Sequence, residues 1–212
     1  MELEIIKKLN NINENDFINF DEDIKNIEIK TGIKFPKILF DFYKQIGIHS
    51  NIFKSVLNGL KHNSLGILEL HIDDHTGDKW GLNTNNNLLF KPFKRKWSNT
   101  KYSVQDFLIN EVLKITCFNQ NFTARGKCSN NELKKAINDG FLFEIESKEI
   151  HIEAANIYDL NMNFYQSSAN DIIAIGEESI YYGVNNRVDL DNFTSLFGKD
   201  WYLALWLGGD KL

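Results

Sequence analysis

An α+β fold, an antiparallel sheet covered by helices on one side, follows from three features of the sequence. Two stretches of helical spacing come first, at Phe20, Ile24 and Ile27 and then at Ile38, Leu39, Phe42, Tyr43 and Ile46. Strand-like runs succeed one another next, separated by Asp- and Gly-rich reversals rather than by helices. A helical stretch through Tyr102, Val104, Phe107, Leu108 and Leu113 closes this half. Helices and strands are segregated along the chain, which marks α+β rather than alternating α/β.

The first helix carries Asp21, Glu22 and Asp23 early, where the helix dipole favours negative charge, and Gly32 is its natural stop. In "TGIKFPKILFDFYKQIG" the connector is short and extended, with Ile33 and Phe35 alternating with polar neighbours and anchoring it in the core. Pro36 sits at the start of the second helix, where a missing N–H costs nothing, and Gly47 ends the apolar stripe. Ile67, Leu68 and Leu70 then precede "DDHTGD", a tight reversal, and Trp80, Leu82 and "LLFKPF" continue a β-meander. Ser103 is placed to cap the helix that follows.

The pattern restarts after "CFNQNFTARGKCSNN". Leu133, Ala136 and Ile137 predict a short helix ended by Gly140, and "FLFEIESKEIHIEAANIY" reads as strands around a polar turn. "IIAIGEESIYYGVNN" echoes "ILELHIDDHTGDKWGLNTNN": each has an apolar strand, an acidic turn, an aromatic, Gly, an aliphatic and Asn. We therefore divide the chain into residues 1–118 and 119–212. The second part is a C-terminal α/β extension of the sheet or a degenerate second copy, or forms one composite fold with the first.

The 212 residues include 42% hydrophobic and 25% charged side chains, the balance of a folded globular chain rather than a disordered one. A net charge of -5 repels a phosphate backbone, so no nucleic-acid partner is expected and a basic partner is favoured. The opening "MELEIIKKLN" lacks a signal-peptide core and no run reaches membrane-spanning length. A cytoplasmic location without membrane association is the expectation. Cys117 and Cys128 match no zinc or redox spacing and are expected to be reduced, structural thiols.

The joint resembles the SMI1/KNR4 family, also called the SUKH superfamily, whose opening reads acid, apolar pair, Gly, apolar, Leu-Pro and an aromatic-rich helix. Glu28, Gly32, Ile33, Phe35, Pro36, Phe42 and Tyr43 fall at matching positions. "LGILELHIDDHTGDKWGLNT" is similar to the family's central hairpin and "YSVQDFLINEVL" to its closing helix. Phe35 stands where Leu is usual, and "QIGIHSN" replaces the Asn-Gly that commonly ends the second helix.

Several motifs carry candidate chemistry. In "HIDDH", His71, Asp73 and His75 would share a strand face, but alternate strand residues sit about 7 Å apart, too far for the outer pair to reach one ion easily. "ARGKCSNN" reads as a solvated loop, and Glu177 and Glu178 as hairpin charges on opposite faces. "KPFKRKW" has the basic-aromatic mix of a single-strand binder, or of an edge strand guarded by charge. No catalytic residue, metal or cofactor is assigned.

What the resemblance implies is a bacterial immunity protein that binds and neutralises a cognate toxin, frequently a nuclease, without turning over a substrate. The alternatives are a regulatory scaffold of the SMI1/KNR4 type and, further off, a metal-dependent hydrolase using "HIDDH". A basic toxin would be met by charge complementarity. Asp73, Asp74 and Asp78 beside Trp80 form the candidate partner-binding patch, weighed against a solvated hairpin tip over a core Trp. The sequence leaves the oligomeric state open.

Overall fold

In a computed structural model of the chain, residues 2–46, 60–72, 79–93, 96–118, 120–127, 130–145, 162–167, 170–176, 179–196 and 202–203 are described. Their helices are α1 (Glu2–Leu9), α2 (Phe20–Thr31), α3 (Lys37–Ile46), α4 (Val104–Phe118), α5 (Asn130–Asn138) and α6 (Arg187–Leu196). The strands are β1 (Lys61–His62), β2 (Leu68–Ile72), β3 (Lys79–Asn83), β4 (Leu88–Phe93), β5 (Lys96–Ser103), β6 (Phe122–Gly126), β7 (Phe143–Ile145), β8 (Asn163–Gln166), β9 (Asp171–Ile175), β10 (Ile180–Val184) and β11 (Tyr202–Leu203). All pairings are antiparallel and fall into two sheets, so the α+β class holds. Among the described residues, the strands of the second half pair with one another in a sheet of their own.

Two compact units contain these elements, one made of Asn11–Leu108 and the other of residues 2–10 with most of the chain from Ile109 on. The expected division at 118/119 lies farther on, at the C-terminal end of α4.

In the first unit α2 ends at Gly32, whose φ of 68° is left-handed and whose N–H donates to the Glu28 carbonyl. Pro36 stands just before α3, and its carbonyl accepts the first helical bond from Phe40 N–H. Phe35, Leu39, Phe42, Tyr43 and Ile46 are buried, while Ile33 is half-buried. The expected anchoring of the connector therefore rests mainly on Phe35. The sheet is a meander in the order β1-β2-β3-β4-β5. Leu68, Trp80, Leu82 and Leu89 form its buried face, and the Trp80 ring lies 4.8 Å from that of Phe107 in the first turn of α4. Ser103 Oγ accepts from Asp106 N–H and caps α4, as its position predicts, so Tyr102, expected in this helix, lies before the cap and belongs to β5.

The second unit has the strand order β11-β6-β10-β9-β8-β7. Every residue of β9 and β10 is buried, so this antiparallel sheet is covered on both faces, and "DIIAI" and "IYYGV" read as unbroken apolar runs for that reason. On one face the C-terminal end of α4 reaches Gly183, where an added Cβ would collide with the Cys117 carbonyl. Cys117 Sγ, buried, points toward the carbonyls of Ile172 and Tyr181 at 3.6 and 3.8 Å. On the other face Tyr165, Ile173, Ile175, Ile180, Tyr182 and Val184 pack with Leu190 and Phe193 of α6 and Ala136 of α5. α1 joins this unit through Asn10, whose Nδ2 donates to Thr116 Oγ1 at 2.8 Å.

"ARGKCSNN" is expected to be a solvated loop, but its first three residues, Ala124, Arg125 and Gly126, belong to strand β6, where Phe122 and Ala124 face the α6 side while Thr123 and Arg125 face the other. The two stretches of the echo both supply antiparallel strand pairs, β2–β3 and β9–β10. Gly81 and Gly183 occupy matching places in them, and each lacks room for a Cβ.

Candidate binding cleft

Of the expected patch, Asp73, Asp74 and Asp78 lie outside the described residues, as does His75. Trp80 is 3% exposed and belongs to the core of the meander. Its indole face carries the Lys91 amino group 4.7 Å from the ring centroid, a cation–π contact. Lys91 is itself buried, which removes it from the basic surface that "KPFKRKW" offers in sequence. Phe93 pairs with Lys96 across the β4–β5 reversal, and β5 is the outer strand of the described sheet, with exposed Lys96 and Lys101 along it. Among the described residues no group of three or more His, Cys, Asp or Glu side chains is placed to hold a metal ion.

A cleft in the second unit, about 580 Å³, gathers residues that lie far apart in sequence. α5 and the turn after it supply Glu132, Lys135, Ala136, Asp139, Phe141 and Leu142. β9, β10 and α6 supply Asp171, Tyr182, Asp189, Asn192 and Phe193. The turn is a Schellman motif, for Gly140 is left-handed at φ 74°, Phe141 N–H donates to the Ala136 carbonyl at 2.9 Å and Gly140 N–H to that of Ile137 at 3.0 Å. These bonds hold Phe141 at the rim, where its side chain is 55% exposed.

At the base Asp171 is 1% exposed. Its Oδ1 accepts the Ser167 N–H at 2.9 Å, and its Oδ2 accepts the hydroxyls of Ser167 and of Tyr182, the latter at 3.1 Å. Burial, and next the Asp171 charge beside it, push the Tyr182 hydroxyl well above its usual range, so it is a fixed donor. The Tyr182 ring stacks on Phe193, centroids 3.8 Å apart and planes within 5°. Asp189 is committed to the start of α6. Its N–H donates to Asn186 Oδ1 at 2.8 Å while its carboxylate accepts from Asn186 Nδ2, a reciprocal cap.

Of the cleft residues, the sequence points only to Ala136 and Gly140, as part of a short helix and its stop, and assigns no binding role to any of them. Asp171 is the one with a signal, because a carboxylate leading a fully apolar strand requires internal donors. By fold and site the chain is an α+β protein of two antiparallel sheets with an acidic, aromatic-based cleft on the second. No family model matches it, and neither a curated protein nor a solved structure matches it. Among the described residues no helix is long and apolar enough to cross a membrane.

Proposed function

We propose that the chain is a non-enzymatic immunity protein that binds and neutralises a cognate protein toxin, nucleases included. The observation behind this reading is the way the motif residues that resemble SMI1/KNR4 work together. Gly32 turns the chain in a left-handed conformation, Glu28 Oε1 accepts the Phe35 N–H at 2.7 Å, and the Phe35 ring packs 6.0 Å from that of Tyr43. The net charge of -5 favours a basic partner and fast, steered association. Asp73, Asp74 and Asp78 are the steering charges of this reading, with the buried Trp80 as a support for their hairpin rather than a contact.

The test is co-expression of the toxin encoded beside its gene, with and without this chain, read as growth. Association should slow as salt rises from about 0.05 to 0.5 M, because exposed charges are screened over a Debye length. Reversing Asp73, Asp74 and Asp78 to Lys should slow association and weaken protection, whereas Glu2→Lys with Glu4→Lys should do neither. Unimpaired toxicity beside well-folded protein would remove the immunity reading for that pair. A gene with no toxin neighbour would favour the scaffold.

A further inference from the structure

The geometry points to the cleft of the second unit as an anchor pocket for one arginine or lysine side chain of a protein partner. Carboxylates of Glu132, Asp139, Asp171 and Asp189 line it against the single ammonium of Lys135. Asp171 lies at the base, and among the described residues no three such groups are close enough together to hold a metal ion. A spread negative field over an apolar base suits a larger cation with an apolar stem. Ala136, Leu142 and Phe193 are buried in that base, and the exposed Phe141 ring at the rim offers a face to a guanidinium or ammonium. The volume of about 580 Å³ suits a side chain and its flanking backbone.

The carboxylates divide the work. Asp171 accepts from the chain itself and sets the field from below. Asp189 caps α6. Asp139 is exposed and, among the described residues, its carboxylate makes no ion pair, so it is the group that meets an incoming head. That the cation belongs to a protein rests on the function proposed above. Phe141 carries apolar surface out beyond the cleft, which the neighbour of a basic residue would cover and a free amine would not.

The test titrates the full chain with an acetylated, amidated pentapeptide holding arginine between two leucines and glycine ends. Its citrulline counterpart and free agmatine are the other arms, with binding followed by calorimetry and backbone amide shifts. The arginine peptide should shift Asp139, Phe141 and Asn192 and bind about tenfold tighter, or more, than the citrulline peptide. Asp139→Asn should weaken it about twofold to fivefold and Lys135→Gln should tighten it by a similar factor. Both positions are exposed, and opposite movements of affinity are not what a disturbed fold produces. Equal binding of the two peptides, shifts elsewhere, or no binding of the arginine peptide at millimolar concentration overturns the pocket. Agmatine binding as tightly as the peptide overturns the protein partner and leaves a small-amine site. Growth protection is measured separately, so loss of the immunity reading and loss of the pocket are told apart.

Discussion

The Glu28 carboxylate accepts the backbone N–H of Phe35 at 2.7 Å, reaching across the left-handed turn at Gly32. One side chain thereby ties the end of α2 to the extended residues that lead into α3. A charge-assisted bond of this kind contributes about 1.5–3 kcal/mol, and Glu28→Ala should destabilise by that order in urea unfolding. Glu28→Gln keeps an acceptor and should cost less. Glu22→Ala, on an exposed position of the same helix, should stay within about 0.5 kcal/mol. Equal midpoints for the Glu28 and Glu22 variants would deny the tie its role.

The α3 stripe supplies a second contrast. Phe42 is 5% exposed and meets Tyr43 edge to face, so Phe42→Ala should cost roughly 3 to 5 kcal/mol. Pro36→Ala should cost about 1 kcal/mol or less, since the residue contributes its carbonyl to α3 and that carbonyl is kept. A harmless Phe42→Ala in thermal melting would show that the stripe does not bear on the core.

Gly183 and Gly140 differ in what a methyl would meet. At Gly140 there is open space, and the φ of 74° alone penalises alanine, by about 1 kcal/mol. At Gly183 the methyl would run into the Cys117 carbonyl and stand 3.0 Å from Gln120 Cγ. A carbonyl at the end of a packed helix has little freedom to withdraw, so Gly183→Ala should cost about 1–3 kcal/mol or more. If the two alanines melted alike, the close approach of α4 to β10 would be refuted.

These elements differ in how far the sequence discloses them. The α2–α3 joint was legible because Gly32, Pro36 and the apolar spacing act within a few residues, and the hairpins were legible through their reversals. α6 escaped because its buried stripe is short: Leu190 and Phe193 are buried while Val188 is 68% exposed. β6 escaped because "FTARG" offers only Phe122 and Ala124 as apolar strand residues. The cleft was illegible because Glu132, Asp139, Asp171 and Asp189 are brought together by the packing of α5 and α6 on β9 and β10, which no local spacing encodes. Trp80 shows the converse limit, for an aromatic beside acids reads alike whether it faces solvent or Phe107.

Alkaline pH should weaken the fold. Burial pushes the Cys117 thiol up to about 12 from an ordinary 9.0, and burial likewise raises the hydroxyls of Tyr43 and Tyr182. Each group keeps its proton longer in the folded chain than in the unfolded one, so the unfolded chain binds fewer protons once pH passes the ordinary values. Their contribution to stability is complete below about pH 9 and is lost as pH climbs toward the folded values. Melting temperature should hold steady to about pH 8.5 and fall beyond it. In a Cys128→Ser background, iodoacetamide should label Cys117 slowly at about pH 8 and readily in denaturant. Fast native labelling would contradict the burial of that thiol.

Asp171 and Tyr182 join the base of the cleft to its aromatic wall, and their coupling can be measured. Asp171→Ala would leave the Ser167 N–H, the Ser167 hydroxyl and the Tyr182 hydroxyl without the acceptor they now share. Removing a buried acceptor of this kind costs roughly 3–5 kcal/mol, because the donors stay behind without water. Tyr182→Phe removes one donor and keeps the stack on Phe193, so it should cost only about 1 kcal/mol. In the double variant one of the stranded donors is gone, and the combined loss should fall short of the sum by about 0.5 kcal/mol or more. Chemical denaturation of the four proteins closes this cycle. Strict additivity would mean that the Tyr182 hydroxyl and the Asp171 carboxylate do not depend on each other, and the base of the cleft would then lack the shared bond that orients it.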